Sequence, residues 1–220
     1  MARVITGLDP ARVKANADKV REAIASAAAK AGRDPNAVSL LAAVKYVPQQ
    51  ELHALAEAGI TLLGENRAQE LKAKAEAYPD TFTWHFIGQL QSRKVKQIVP
   101  YADVIHSVAS ESALKQLANH HTEATKILIE VDVAGEESKA GIPPGELPAY
   151  LERSPVPVAG LMTMPPFTED PEESRPHFAA LRQLAERHGL EHLSMGTSQD
   201  YAVAVEEGAT IVRIGSVLFE

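Results

Sequence analysis

Lys45 closes the apolar run VSLLAAVK, residues 38–45. Side chains alternate along an extended strand, so Lys45 shares a face with Ala43, Leu41 and Ser39. Val38, Leu40, Ala42 and Val44 form an unbroken apolar face suited to packing against helices. On the inner face of a sheet, above a small alanine and partly desolvated, such a lysine has a lowered pKa and can attack an aldehyde to form an imine. The bland alternative is a lysine that marks the strand's exit to solvent. Arg213 interrupts TIVRIG, residues 210–215, on the face of Ile211 and Ala209. A charge inside such a run needs a partner. Either it forms a structural ion pair with Glu130 or Asp132, which interrupt the fifth apolar run, or it is a cation held against a ligand. Two turns could receive an anion. Gly196, Thr197 and Ser198 precede a helical stretch starting near Gln199, and Gly215 and Ser216 follow the last apolar run. Free N–H groups at a helix N-terminus, glycines that permit close approach, and hydroxyl donors are what a phosphate needs. Ser198 also suits an ordinary helix N-cap, and the two roles are compatible.

No metal is expected. Cysteine is absent, and none of the eight histidines pairs with another at zinc-binding spacing within a helical stretch. His85 in WHFIG and His106 in VIHSV read as satisfied core histidines, and Met162 and Met164 in GLMTM as core. Trp84 and Phe86, opposite His85, are expected to pack beneath a helix. Arg93, Lys94 and Lys96 read as a solvated helix face.

The elements that must position these residues follow an αβ grammar. Apolar runs at 38–45, 61–64, 83–88, 103–108, 126–133, 158–164, 192–196 and 210–215 give eight candidate strands. Helical stretches lie between them, the clearest at 50–58, 66–77, 110–121, 172–188 and 199–207. Ahead of the first strand, apolar residues at 13, 17, 20, 24, 27 and 31 keep the period of one helical face, with Asp9 as cap, Pro10 in the first turn and Gly32 at the end. Eight alternations predict an α/β fold, a single (β/α)8 TIM-type barrel over residues 1–220. The chain ends five residues after the eighth strand, so the extra N-terminal helix is expected to fill the eighth outer position. A doubly wound sheet is the competing fold, but no G-x-G-x-x-G follows the first strand. The polar stretch 134–146, AGEESKAGIPPGE, reads as a functional loop after strand five.

Composition narrows the function. A net charge of -7 argues against nucleic acid or an anionic membrane surface as the main partner, and 45% hydrophobic with 23% charged residues describes an ordinary protein with a sizeable core. The N-terminus lacks the apolar centre of a signal peptide, and no run reaches the 18 or so apolar residues of a membrane span. The expectation is a soluble, unprocessed chain.

These residues resemble the pyridoxal phosphate homeostasis proteins, single-domain relatives of the N-terminal barrel of alanine racemases. The likeness runs through LLAAVK around Lys45, LLGENRAQE (62–70), WHFIGQLQSRK (84–94), IHSV (105–108), EVDVAGEESKAGI (130–142), GLMTMPP (160–166) and LSMGTSQDYAVAVEEGATIVRIGSVLF (193–219). It implies that Lys45 holds pyridoxal 5′-phosphate as an internal aldimine. It also implies that Ser198, Gly215 and neighbouring amides receive the phosphate, that Arg213 stands beside the pyridine nitrogen, and that Asn66 and His85 lie near the ring. Val44 and Tyr46 flank the lysine where the family usually has hydroxyl residues. Arg93 replaces a common asparagine, and Thr197 a methionine.

An arginine at the pyridine nitrogen disfavours protonation there and weakens the cofactor as an electron sink. The expected function is therefore a non-catalytic, cytoplasmic, monomeric binding protein in vitamin B6 homeostasis, which buffers the cofactor or delivers it to apo-enzymes. The rivals are a racemase-like enzyme using Lys45 with Tyr46, His85 or a loop residue as second base, and a cofactor-free Schiff-base aldolase.

Overall fold

The computed structural model describes residues 4–135 and 140–220. Eight parallel strands close into a barrel in sequence order. They are β1 (Ser39–Ala43), β2 (Leu62–Glu65), β3 (Thr83–Phe86), β4 (Val104–Val108), β5 (Lys126–Glu130), β6 (Val158–Met162), β7 (His192–Thr197) and β8 (Ile211–Ile214). The outer helices are α1 (Pro10–Lys30), α2 (Leu52–Glu57), α3 (Ala68–Ala77), α4 (Val95–Ile98), α5 (Glu111–His120), α6 (Leu147–Arg153), α7 (Arg175–Arg187) and α8 (Tyr201–Glu206). The predicted (β/α)8 barrel is thus the observed fold. The periodicity did not single out α4, whose four residues show too little repeat, nor α6.

The closure decides what faces what. β8 pairs with β1 in the register Ser39↔Ile211, Leu40↔Val212, Leu41↔Arg213 and Ala42↔Ile214. Leu41, Leu128, Met162 and Ile211 fill the lumen as one cluster, while Ala42, Val44, Trp84, Phe86 and Val212 belong to the larger core between strands and helices. Inward and outward faces therefore fall where alternation puts them. Several strands are shorter than their apolar runs, because the ladder ends where the partner strand turns away. β1 stops at Ala43, so Lys45 lies in the following turn, and β6 stops at Met162. After β5 only a single bridge, Val131 to Ile142, continues the pairing. Residues 136–139 of the expected loop lie outside the described residues.

α1 occupies the eighth outer position, packed against α8 on one side and α2 on the other. The Asp9 side chain accepts from the Ala11 N–H at its start, and Gly32 has φ +65° just past its end. Val13, Ala17, Val20, Ile24, Ala27 and Ala28 are buried. Ala28 takes the place that the spacing assigned to Ala31, which is the exposed C-cap.

If α1 seals the barrel wall, Ile24→Ala leaves a cavity in a continuous core and lowers stability by about 2–5 kcal/mol in urea unfolding. A change below about 0.5 kcal/mol would mean that the helix only rests on the surface.

Candidate functional site

At the carboxyl end of the barrel a cavity of about 380 Å³ brings together Lys45, Asn66, Thr197, Ser198, Arg213, Gly215 and Ser216. Ala43 and Ile87 form part of its floor, and Tyr46 and Met164 part of its wall. Two of the expected residues are elsewhere. Gly196 lines an adjoining cavity, where its φ of +89° and the close approach of Ala204 and Tyr201 leave no room for a side chain. His85 lines a cavity at the amino end of the barrel, below the lumen cluster. Alternation correctly turned His85 inward but carries no information about height along the barrel axis. Met164 is 54% exposed at the mouth, not core, because it lies beyond the end of β6.

Lys45 lines this cavity but is exposed, so the desolvation expected of it is not found. Its Nζ lies 5.2 Å from the centre of the Tyr46 ring. What fixes its backbone is a buried pair that the sequence reading missed. Lys74 Nζ, on α3, donates to the Val44 carbonyl at 2.9 Å and to Glu65 Oε2 at 2.5 Å. Glu65 Oε1 accepts from the N–H groups of Asn66 at 2.7 Å and Arg67 at 3.1 Å. Both charged residues are almost wholly buried. One ion pair thus ties the backbone just before Lys45 to the backbone of Asn66. The signal was legible: Ala68, Leu71 and Lys74 share the buried face of α3, so a lysine interrupts an apolar stripe and demands a buried acid.

The anion turns differ in detail from expectation. α8 starts at Tyr201, and the Asp200 side chain accepts from the Thr197 N–H at 2.7 Å and hydroxyl at 3.1 Å. Thr197's donors are therefore engaged, and Ser198 is not the cap. Ser198 Oγ instead accepts from the Gly215 N–H at 3.1 Å, joining the turns after β7 and β8 and leaving its own O–H to donate. The N–H groups of Ser198, Gln199 and Ser216 donate to no acceptor among the described residues. A side chain at Gly215 would enter open space. Asn66 Oδ1 is buried without a hydrogen-bond partner.

Arg213 forms no ion pair with Glu130 or Asp132 among the described residues. Its NH1 donates to the Ser194 carbonyl at 2.7 Å and to Ser194 Oγ at 2.6 Å, and its NH2 to the Thr163 carbonyl at 2.9 Å. Neutral acceptors close at hand made the ion pair unnecessary for hydrogen bonding. Burial pulls the guanidinium down to about 10, opposed by Glu130 and Asp200, so it stays cationic at neutral pH. Burial raises the Glu130 carboxyl, with Arg213 opposing. Beneath them, burial lowers His85 from its ordinary 6.5 to about 4, Asp103 opposing and His192 adding. His106 is held well below 6.5, first by burial and then by the charges of His85, Arg213 and His192.

Fold and mouth define the class: a parallel (β/α)8 barrel with a cavity lined by a lysine and an arginine at its carboxyl end. The family model for the alanine racemase N-terminal domain matches residues 8–220. A pyridoxal phosphate homeostasis protein of Aquifex aeolicus is 43% identical over 215 residues, covering 91% of this chain and 94% of that one. Among solved structures, an unknown protein from Bifidobacterium adolescentis superimposes with a TM-score of 0.86 at 29% identity, covering 99% of this chain and all (100%) of that one. PipY of Synechococcus elongatus with PLP bound superimposes with a TM-score of 0.74 at 33% identity, covering 90% of this chain and 100% of that one. The chain belongs to the alanine racemase N-terminal domain family and, within it, to the pyridoxal phosphate homeostasis proteins.

Lys74→Met strands Glu65 as an unpaired buried charge, at an expected cost of about 3–5 kcal/mol in urea unfolding. Adding Glu65→Leu recovers most of that loss, and additive effects of the two changes would show that the pair is not coupled. The buried histidines make a second, pH-dependent prediction. His85 binds a proton near pH 6.5 when unfolded but only near pH 4 when folded, so between those values the unfolded chain holds more protons. Its contribution is level above about pH 6.5 and falls by about 2–3 kcal/mol by pH ~4.5. Chemical unfolding at the two pH values should show a smaller acid loss in His85→Asn than in the wild type; equal losses would contradict the burial.

Proposed function

We propose that this chain binds pyridoxal 5′-phosphate (PLP) reversibly through Lys45 and serves cellular PLP homeostasis by holding the cofactor and releasing it to apo-enzymes. The observation that carries this reading is the convergence of a free primary amine, a buried guanidinium and two amide-rich turns on one cavity. When bound, the cofactor supplies an aldehyde that condenses with a primary amine and loses water. Lys45 would supply the amine, unhindered by any ion pair among the described residues. Ser198 O–H and the N–H groups of Ser198, Gln199 and Ser216 would receive the phosphate, with the open space over Gly215 admitting it. Thr197 would shape the wall, its donors being committed to Asp200. The orphaned Asn66 Oδ1 would gain a partner. Arg213 would donate toward the ring nitrogen.

That cation is also why a carrier is favoured over a catalyst. A positive charge opposes protonation of the ring and weakens the electron sink on which carbanion chemistry draws. Racemisation also needs a second base on the opposite face of the substrate, and His85, a candidate for that role, does not line the cavity. Of the two named candidates, Tyr46 lines the mouth and His85 does not. Service to PLP enzymes would put the chain in the cytoplasm, and a cavity lined within a single chain supports a monomer. No helix among the described residues is long and apolar enough to cross a membrane.

Purified protein supplied with PLP is expected to show a visible absorbance band that borohydride bleaches while fixing the cofactor to the chain. Lys45→Ala should show neither effect, and a full band in that variant would refute the assignment. The loaded wild type should activate a PLP-requiring apo-enzyme and racemise no amino acid. Sustained racemisation that disappears in Lys45→Ala would instead establish the enzyme reading.

A further inference from the structure

A chain of buried polar side chains runs down the barrel from Arg213, and neither the cofactor reading nor packing accounts for it. Arg213 NH1 lies 2.6 Å from Ser194 Oγ, Ser194 Oγ 2.9 Å from His106 Nδ1, and His106 Nε2 2.8 Å from His85 Nδ1. Ser194 and His106 are fully buried, and His85 opens only toward the cavity at the amino end.

The direction of every bond follows from the first. A guanidinium can only donate, so Ser194 Oγ accepts from Arg213. A neutral imidazole has one N–H. If His106 carried it on Nδ1 and gave it to Ser194, the serine hydroxyl would be left without an acceptor among the described residues, at the cost of an unmade buried hydrogen bond. With Ser194 donating to His106 Nδ1, the proton of His106 stands on Nε2 and is given to His85 Nδ1. The His85 proton then stands on its own Nε2, toward the amino-end cavity. In this arrangement every donor between Arg213 and His85 Nδ1 finds an acceptor, and the His85 Nε2–H faces the amino-end cavity.

We propose that Ser194, His106 and His85 are positioning residues for Arg213: a one-way hydrogen-bond chain that holds the guanidinium against the cavity and so sets how firmly the PLP ring is retained. The retention part rests on the PLP reading above, and the chain itself does not. The Ser194 lone pair points at Arg213 only while its proton is committed to His106, and that commitment lasts only while His106 keeps its proton on Nε2. Tautomer, hydroxyl rotor and guanidinium are thus one coupled unit.

Nitrogen-15 NMR of the histidine rings, together with proton exchange at the Arg213 guanidinium, tests this on the cofactor-free protein. In the wild type at neutral pH, both His85 and His106 are expected to be neutral with the proton on Nε2. In Ser194→Ala, His106 Nδ1 should lose its hydrogen-bond shift, Arg213 exchange should accelerate by about tenfold or more, and PLP release should quicken similarly. Ser194→Thr, which keeps the hydroxyl, should restore Arg213 exchange. A His106 proton on Nδ1, or a charged His106, overturns the proposal from the wild type alone, whether or not the variants fold. So does Arg213 exchange within about twofold of the wild type in Ser194→Ala. A wild type that takes up no PLP would contradict the cofactor reading while leaving the tautomer and exchange results to decide the chain.

Discussion

The pairing of β8 with β1 is the constraint on which the rest of this protein depends. It turns an open row of parallel strands into a closed wall, and its register sets Leu41 beside Arg213. The amine that follows β1 and the turn that follows β8 therefore open onto the same space. Neither is near the other in sequence; only closure makes Lys45, Arg213 and Gly215 neighbours. α1 supports that closure from outside, covering the seam between α8 and α2 where a (β/α)8 barrel needs its eighth helix.

Within this frame the buried charges are arranged so that each has a definite task. Lys74 and Glu65 neutralise each other and use their remaining hydrogen bonds on the backbone that leads into Lys45 and Asn66. Arg213 is handled differently: neutral carbonyls and a hydroxyl hold it, and the histidines beneath it are kept uncharged by burial. A cation hydrogen-bonded to dipoles, with no carboxylate in direct contact among the described residues, keeps a positive field toward the cavity. That field suits a ligand with an electron-rich nitrogen and resists adding a proton to it, which is the electrostatic basis for reading this barrel as a holder of a reactive carbonyl.

Much of this was legible from local pattern. Alternation along VSLLAAVK and TIVRIG separated lumen from helix-facing residues, and the spacing of Val13, Ala17, Val20 and Ile24 marked the helix that seals the wall. Patterns with a period of two or 3.6 are properties of a short segment and survive folding. Height along the barrel axis is not such a property. His85 and Ile87 share a face, yet one lines the amino-end cavity and the other the mouth, a difference set by strand tilt and register. Hydrogen-bond partners of buried ions were equally hidden for Arg213, because carbonyl acceptors carry no residue signature. Lys74 could have been found, since a lysine on an apolar helical stripe announces a buried partner.

The most direct test of the central claim is a crystal structure of the protein grown with pyridoxal 5′-phosphate. The account predicts continuous density from Lys45 Nζ to the cofactor, its phosphate on the turns at 197–199 and 215–216, and the Arg213 guanidinium at the ring nitrogen. Cofactor attached to a different lysine, or a phosphate remote from both turns, would contradict it.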